Sequence, residues 1–540
     1  MSAPQALKIG SLVIGLDDQT PLVLALLEII QRQEAEIREL RDEIHKLKGT
    51  TRRPKIKPST LLKPGPPRTS GQQGRRPGSD KRHKTVALPI HEDRPLVIEG
   101  LPPGTQSEGY RDFVVQDLHI AAHNIRYRRT VYRLPDGSLQ VASLPPDVAG
   151  HFGGRLRQYV LYQVHQNHVT QGRLLQELQE LGIDISAGQI SALLLNGHEA
   201  LHAEKDALLP MARQISGYLH CDDTSARHRG RNAVCTHIGN ELFASFHSTD
   251  SKSRLNFLQL LCLPEERYTW CEEAVNCLDW LGAGVKLQRR LASEPDAMWR
   301  GRASWEAQLD DWGLTHADHR TVVSEAALFG TLLTESWYTD LGLISDDAPQ
   351  FKLFGFLHGL CWVHGERKID RLIPLTEHQR QARERVQGEF WKLYERLKAY
   401  RLAPTATGKT DIAQAFDRMC RQKTGYPALN EALGLLGDKK EGFLAVLEYP
   451  HLPLHNNLSE NDIREYARLR KISAGTRSDL GRRCRDTFLS LKKTCRKLGI
   501  RFWDYLGDRL AKTNLIPPLT EVMRSVAQAG NCPAAAADTG

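Results

Sequence analysis

No apolar run in the sequence approaches the roughly 18 to 20 residues that a membrane-crossing helix needs, and the N-terminus lacks the basic, apolar and small-residue succession of a secretory signal. A protein that stays inside the cell and touches no membrane is expected. Cysteine is sparse as well, with ten residues at 221, 235, 262, 271, 277, 361, 420, 484, 495 and 532 and no Cys-x-x-Cys pair among them. That spacing writes neither a zinc ribbon nor a thioredoxin motif, so scattered reduced thiols are expected. Gly408-Lys409-Thr410 lacks the leading glycine of a phosphate loop, since Ala403 stands in its place after a stretch, 391–402, that reads as helix rather than strand. ATP binding is not expected. Cys361 and His364 are two ligands where a tetrahedral metal site needs four, so the Cys361-Trp362-Val363-His364 run reads as packing.

What is present suffices for a large protein. A chain of 540 residues with 40% hydrophobic content has material for about three or four domains. The net charge of +9 is unevenly spread, because residues 51–90 hold eleven Lys and Arg against the single acid Asp80. A polyanionic partner follows from that concentration.

The N-terminal segment 1–49 carries a heptad over about 22–48: Val23, Leu26, Ile30, Gln33, Ile37, Leu40, Ile44 and Leu47. Val or Ile at every a position, with Leu at each d position except Gln33, favours a parallel two-stranded coiled coil. A homodimer or higher oligomer is expected from it. Residues 50–90 form a basic, proline-rich linker, too polar for a core, that can lie along phosphates. Short β-like runs at 113–115 and 125–134, with turn residues Pro135-Asp136-Gly137, predict a small β-containing domain over 91–150. Residues 151–215 read as helical, with the outline of a helix-turn-helix: a helix ending at Gly182, then a second one capped by Ser186.

From Tyr218 the pattern changes to strands, at 218–222, 233–239 and 242–247, followed by helices from Leu255, a strand ending at Asp346 and a fifth apolar run at 359–364. This succession over 216–365 is the outline of a ribonuclease H-like sheet. A helical insertion is expected over 366–452, and the core resumes over 453–505 with a helix beginning near Leu458. Residues 506–540 are expected to form a C-terminal helix and a disordered tail. The fold class is therefore multidomain α+β, an α/β core interrupted by a helical insertion and preceded by a coiled coil and a helical DNA-binding region.

Two strand ends and one helix start carry acids: Asp222-Asp223, Asp346-Asp347 and Glu460. Three converging carboxylates are what two-metal phosphodiester chemistry requires, with magnesium as the expected ion and manganese as the alternative. In an alternating strand only one acid of each pair faces the site, and the first is chosen here. From Asn461 to Arg501 thirteen Lys and Arg face four acids, so the site is flanked by cations able to hold a phosphate backbone. Arg464, Arg468 and Lys471 are the leading DNA contacts, followed by Arg477 and Arg482.

The blocks His220-Cys221-Asp222-Asp223-Thr224-Ser225-Ala226-Arg227, Ser345-Asp346-Asp347-Ala348, Cys361-Trp362-Val363-His364-Gly365-Glu366-Arg367, Leu454-His455-Asn456-Asn457-Leu458-Ser459-Glu460-Asn461-Asp462-Ile463-Arg464 and Arg470-Lys471-Ile472-Ser473-Ala474-Gly475-Thr476-Arg477-Ser478 together resemble the transposases of the insertion-sequence-sixty-six (IS66) family, TnpC type. The resemblance spans nearly the whole chain. It implies a DDE-type enzyme with Asp222, Asp346 and Glu460 as catalytic and metal-binding triad, acting on the terminal inverted repeats of a bacterial insertion sequence by hydrolysis and then strand transfer. It also implies target DNA and accessory proteins of the same element as partners, and a cytoplasmic, nucleoid-associated location. Members of that family often carry a cysteine-rich zinc segment after the linker; with no cysteine before Cys221, no zinc is expected here. Two other readings use the same features, a non-catalytic DNA-binding or architectural protein and a ribonuclease H-like nuclease without strand transfer.

Overall fold

The computed structural model describes residues 151–530 throughout, most of 89–150, the strands Leu7–Ile9 and Leu12–Ile14, and scattered positions between 20 and 36. Most of the heptad, nearly all of the basic linker and the tail after Gly530 lie outside the described residues. Val23, Leu26 and Gln33 are helical. The polar edge of the same helix touches the insertion: Gln379 donates to Glu28 at 2.6 Å, and Arg32 pairs with Glu431 at 3.0 Å.

A mixed five-stranded sheet organises the rest. We label its strands β1 (Tyr218–His228), β2 (Arg231–Gly239), β3 (Ala244–Thr249), β4 (Gly342–Ser345) and β5 (Leu357–Leu360). Their order is β5-β4-β1-β2-β3. The first three form an antiparallel meander, while β4 runs parallel to β1 and β5 parallel to β4. The β1–β2 turn works because Arg229 and Gly230 both take positive φ, 49° and 76°, the backbone hand that matches strand twist in a two-residue hairpin.

Helices cover the sheet. Asp479–Lys497 lies along β3, where Ser490 accepts from the Phe246 N–H at 2.9 Å and Asp486 from that of Ser248 at 2.7 Å. Between β3 and β4 the chain forms the helices Arg254–Cys262, Glu272–Trp280, Val285–Leu291, Arg302–Asp311 and Ala317–Leu333 with a hairpin of Arg267–Trp270 and Ala297–Arg300. The helices of 154–215 share one continuous apolar core with this body. They are tied to the C-terminal helices by Gln158, which donates to the Trp503 carbonyl at 2.7 Å, and by the Glu204–Arg509 pair at 2.8 Å. The insertion, from Trp362 to Leu454, instead has its own core around Trp362, Phe390, Phe416 and Phe443.

Several expectations change. β1 does not end at Asp222 but continues to His228, because Asp223–His228 pairs with Arg231–Thr236 in a hairpin that outruns the parallel strands. Residues 361–364 are not strand: Cys361 is the residue before the helix Trp362–Asp370. In 91–150 the 113–115 run is not a strand, and a single hairpin, Val131–Arg133 with Leu139–Val141, forms with its side chains exposed, so no core is built there among the described residues. The predicted Gly182 turn is present at φ 79°, and Ser186 caps Ala187–Leu195 in a reciprocal capping box with Gln189. Thr405 caps Ala406–Cys420 and Lys409 pairs with Glu448, so the Gly-Lys-Thr run sits inside a helix.

Candidate active site

β4 pairs in parallel with β1, Leu343 opposite Leu219 and Ile344 opposite His220, so the acids that follow stand level where the two strands part. Asp222 is half-buried, and its Oδ1 accepts the backbone N–H of Asp223 at 2.8 Å. Burial pushes its carboxyl up to about 7, and the negative charges of Asp346, Asp223 and Glu460 push in the same direction. Three acids thus share one electrostatic neighbourhood with Asp222 at its centre.

The second acid of each pair is engaged elsewhere. Asp223 accepts from Thr236 Oγ1 at 2.5 Å and Gln350 Nε2 at 2.7 Å. Asp347 sits among Lys368 at 3.1 Å, Lys352 at 3.8 Å and Lys439.

Glu460 lies in the first turn of the helix Asn457–Ser473, where the helix dipole favours an acid. It arrives already surrounded by the guanidinium groups of Arg464 at 3.2 Å and Arg367 at 3.4 Å, with the His364 imidazole at 3.5 Å. Burial lowers the affinity of the His364 imidazole for its proton.

The helix start is fixed by Asn456, which is fully buried. Its side chain donates to the Cys221 carbonyl at 2.7 Å and meets His220 Nδ1 at 2.9 Å, and its N–H donates to Cys361 Sγ at 3.2 Å. One residue, through its side-chain amide and its backbone N–H, therefore ties the helix start to β1 at the residue before Asp222 and to Cys361. The buried side of the same helix is anchored by ions. Asp462 pairs with Lys497 at 2.8 Å and Lys493 at 3.3 Å, and Glu465 with Lys493 at 2.6 Å and with Lys492. Burial by itself would raise both carboxyls, yet the lysines and the adjacent His237 and His168 hold them well below the usual range.

Three of the thirteen flanking cations therefore point inward. Arg464, Arg468 and Lys471 are exposed on the Glu460 helix and Arg477 is exposed beyond it. Arg482 is paired with Asp250 at 2.8 Å and with Asp479 at 3.4 Å.

Among the described residues no three His, Cys, Asp or Glu side chains stand close enough to enclose a metal ion. The donor chemistry of the three acids nevertheless fits a hard cation: all are carboxylates, and Asp222 is desolvated beside like charges.

The uncharacterized protein y4jO of Sinorhizobium fredii is 39% identical over 295 residues, which is 54% of this chain and 91% of that protein. A family model described as "Transposase IS66 family" matches residues 149–237 and 343–483, the two stretches that contain Asp222, Asp346 and Glu460. The chain belongs to the IS66 transposase family. In this IS66 protein the break between the two matched stretches is the helical excursion between β2 and β4 together with β3.

Sequence reasoning assigned Cys361–His364 to packing alone, and Trp362 is indeed fully buried in the insertion core. It missed His364 and Arg367, which reach Glu460 from the helix Trp362–Asp370. Their i, i+3 spacing on one helical face was the available signal.

Proposed function

We propose that this IS66-family protein is a DDE-type DNA transposase of the TnpC type with a ribonuclease H-like core, and that Asp222, Asp346 and Glu460 are its metal-binding catalytic triad. The observation that carries the reading is the sheet order β5-β4-β1-β2-β3, three antiparallel strands flanked by two parallel ones, with acids at the level where the central pair parts and a third acid on a helix pinned beside them by Asn456. A pair of bound magnesium or manganese ions would supply an activated attacking oxygen and neutralise the leaving one. Asp222 and Asp346 orient from rigid strands, and Arg367 and Arg464 balance the charge of Glu460 until it is drawn toward the other two acids. The basic residues Arg464, Arg468, Lys471 and Arg477 hold the DNA backbone, with Arg482 contributing once released from Asp250 and Asp479. The substrates are the terminal inverted repeats of the element and a target duplex. The N-terminal heptad pairs two copies, accessory proteins of the element join the complex, and no zinc is needed.

The test is cleavage and joining of a labelled terminal-repeat duplex with Mg²⁺, comparing the parent with Asp222→Asn, Asp346→Asn and Glu460→Gln. Each variant is expected to retain DNA binding and to lose both steps. Cutting that persists in all three would move the site elsewhere, and joining that is absent while cutting persists in the parent would favour a nuclease without strand transfer.

A further inference from the structure

The Glu460 helix has a second working side. Asn457, Asn461, Arg464 and Arg468 recur at helical spacing and line a cleft of about 670 Å³ that excludes Asp222, Asp346 and Glu460 themselves. Arg401, in the last turn of Glu377–Leu402, closes the cleft from the insertion, and Arg496, in the last turn of Asp479–Lys497, closes it from the C-terminal helix. Three segments far apart in sequence deliver arginines to one opening.

The charge there is cancelled only in part. Lys493 and Lys497 also line the cleft but are matched by Asp462 and Glu465. Glu241 is the one other acid of the lining, and Glu460 just outside it pairs with Arg464. Arg401 is steadied by the Pro450 carbonyl at 3.3 Å, and Arg464 reaches Glu460. Arg468 and Arg496 are exposed and make no ion pair with an acid among the described residues. A guanidinium matches a phosphate oxygen pair in two parallel hydrogen bonds, and four of them spread around an open cleft suit successive phosphates of a strand better than one compact anion.

We propose that this cleft is a phosphodiester-binding site that holds a DNA strand against the Glu460 helix, with Arg401 and Arg496 as contacts from outside the helix. The inference rests on the reading of DNA as substrate and adds the path of the strand. It makes the insertion one wall of the DNA channel, since Arg401 belongs to the insertion. It also places Arg464 between two anions, the Glu460 carboxylate on one side and a backbone phosphate on the other.

The experiment is fluorescence anisotropy of a labelled generic duplex, titrated with the full chain in EDTA over a series of salt concentrations. The parent is compared with the double variant Arg468→Gln, Arg496→Gln and with Arg302→Gln, an exposed arginine remote from the cleft. Each phosphate contact contributes about −0.9 to the slope of log K against log salt, so the double variant is expected to make that negative slope shallower by about two, while Arg302→Gln leaves it at the parent value. Equal slopes in parent and double variant, with both binding DNA and melting alike, would overturn the cleft and leave the substrate reading intact. A parent that binds no duplex even at low salt would overturn both.

Discussion

Asn456 offers a direct measure of how tightly the candidate site is assembled. Replacing it by Ala removes two side-chain hydrogen bonds and leaves the His220 ring nitrogen and the Cys221 carbonyl without partners in a dry interior. A buried polar group left unsatisfied costs about 1 to 3 kcal/mol, so Asn456→Ala, which orphans two, is expected to destabilise the junction by about 2 to 6 kcal/mol. A chain with two apolar cores has no single unfolding free energy, so the assay must be local. Hydrogen exchange of the backbone amides in β1 and in the first turns of Asn457–Ser473 reads the opening of that junction. At about 1.36 kcal/mol per tenfold, the lower bound predicts roughly thirty-fold faster exchange there, with the distant Arg302–Asp311 helix unchanged. Asn457→Ala, one residue on and lining the cleft, is the control and should shift exchange by less than about threefold, since a substitution away from such features stays within about 0.5 kcal/mol. Equal exchange in the two variants would refute the pinning role of Asn456.

Other expectations follow from the same geometry. A Cβ built on Gly475 would lie 2.5 Å from the Arg227 carbonyl oxygen, so Gly475→Ala should detach the loop after the Glu460 helix from β1, cost about 1 to 3 kcal/mol and expose that loop to limited proteolysis. Burial first, and neighbouring cations after it, lower His165 and bring His202 to about 4, while burial lowers His198. Because these imidazoles bind protons more readily unfolded, stability should be full above about pH 6.5 and fall as the pH drops toward 4, read as a falling melting temperature across that range. Asp462 and Glu465, held low in the folded state, contribute stability present above about pH 4.5 that is lost as the medium becomes more acidic. Lys493→Ala strips a buried cation from both acids and should cost about 3 kcal/mol, whereas Lys471→Ala, exposed on the helix Asn457–Ser473 that carries those acids, should leave melting within experimental error.

The acids were legible in the sequence because each follows or opens an element with a clear local signature: an apolar run for β1 and β4, and capping residues before Leu458. The strand ends were less legible. Thr224, Ser225 and Ala226 carry no strong apolar alternation, and what makes them strand is the pairing with Ala233–Cys235, a tertiary fact. Cys361–His364 misled because Trp362 and Val363 suit a strand, while the helix they open is stabilised by Trp362 packing on Phe390 and Phe443 some distance along the chain. The thirteen cations after Asn461 could be counted but not sorted. Only the fold separates Lys492, Lys493 and Lys497, which turn inward to Asp462 and Glu465, from Arg468 and Arg496, which face the cleft.

The route of the chain through its sheet has a consequence for how the molecule comes into being. A ribosome releases Asp222 and Asp346 with the strands, but the third acid emerges only after the whole insertion, and the helix whose Lys493 and Lys497 anchor the Glu460 helix through Asp462 emerges later still. The N-terminal helices wait as long, because Gln158 and Glu204 find their partners at Trp503 and Arg509. A nascent chain shorter than about five hundred residues therefore lacks both its finished carboxylate cluster and the clasp on its first helical layer. The junction at Asn456 and the clasp on the first helical layer are therefore completed only when translation is all but finished, and a copy stopped before Trp503 lacks the clasp.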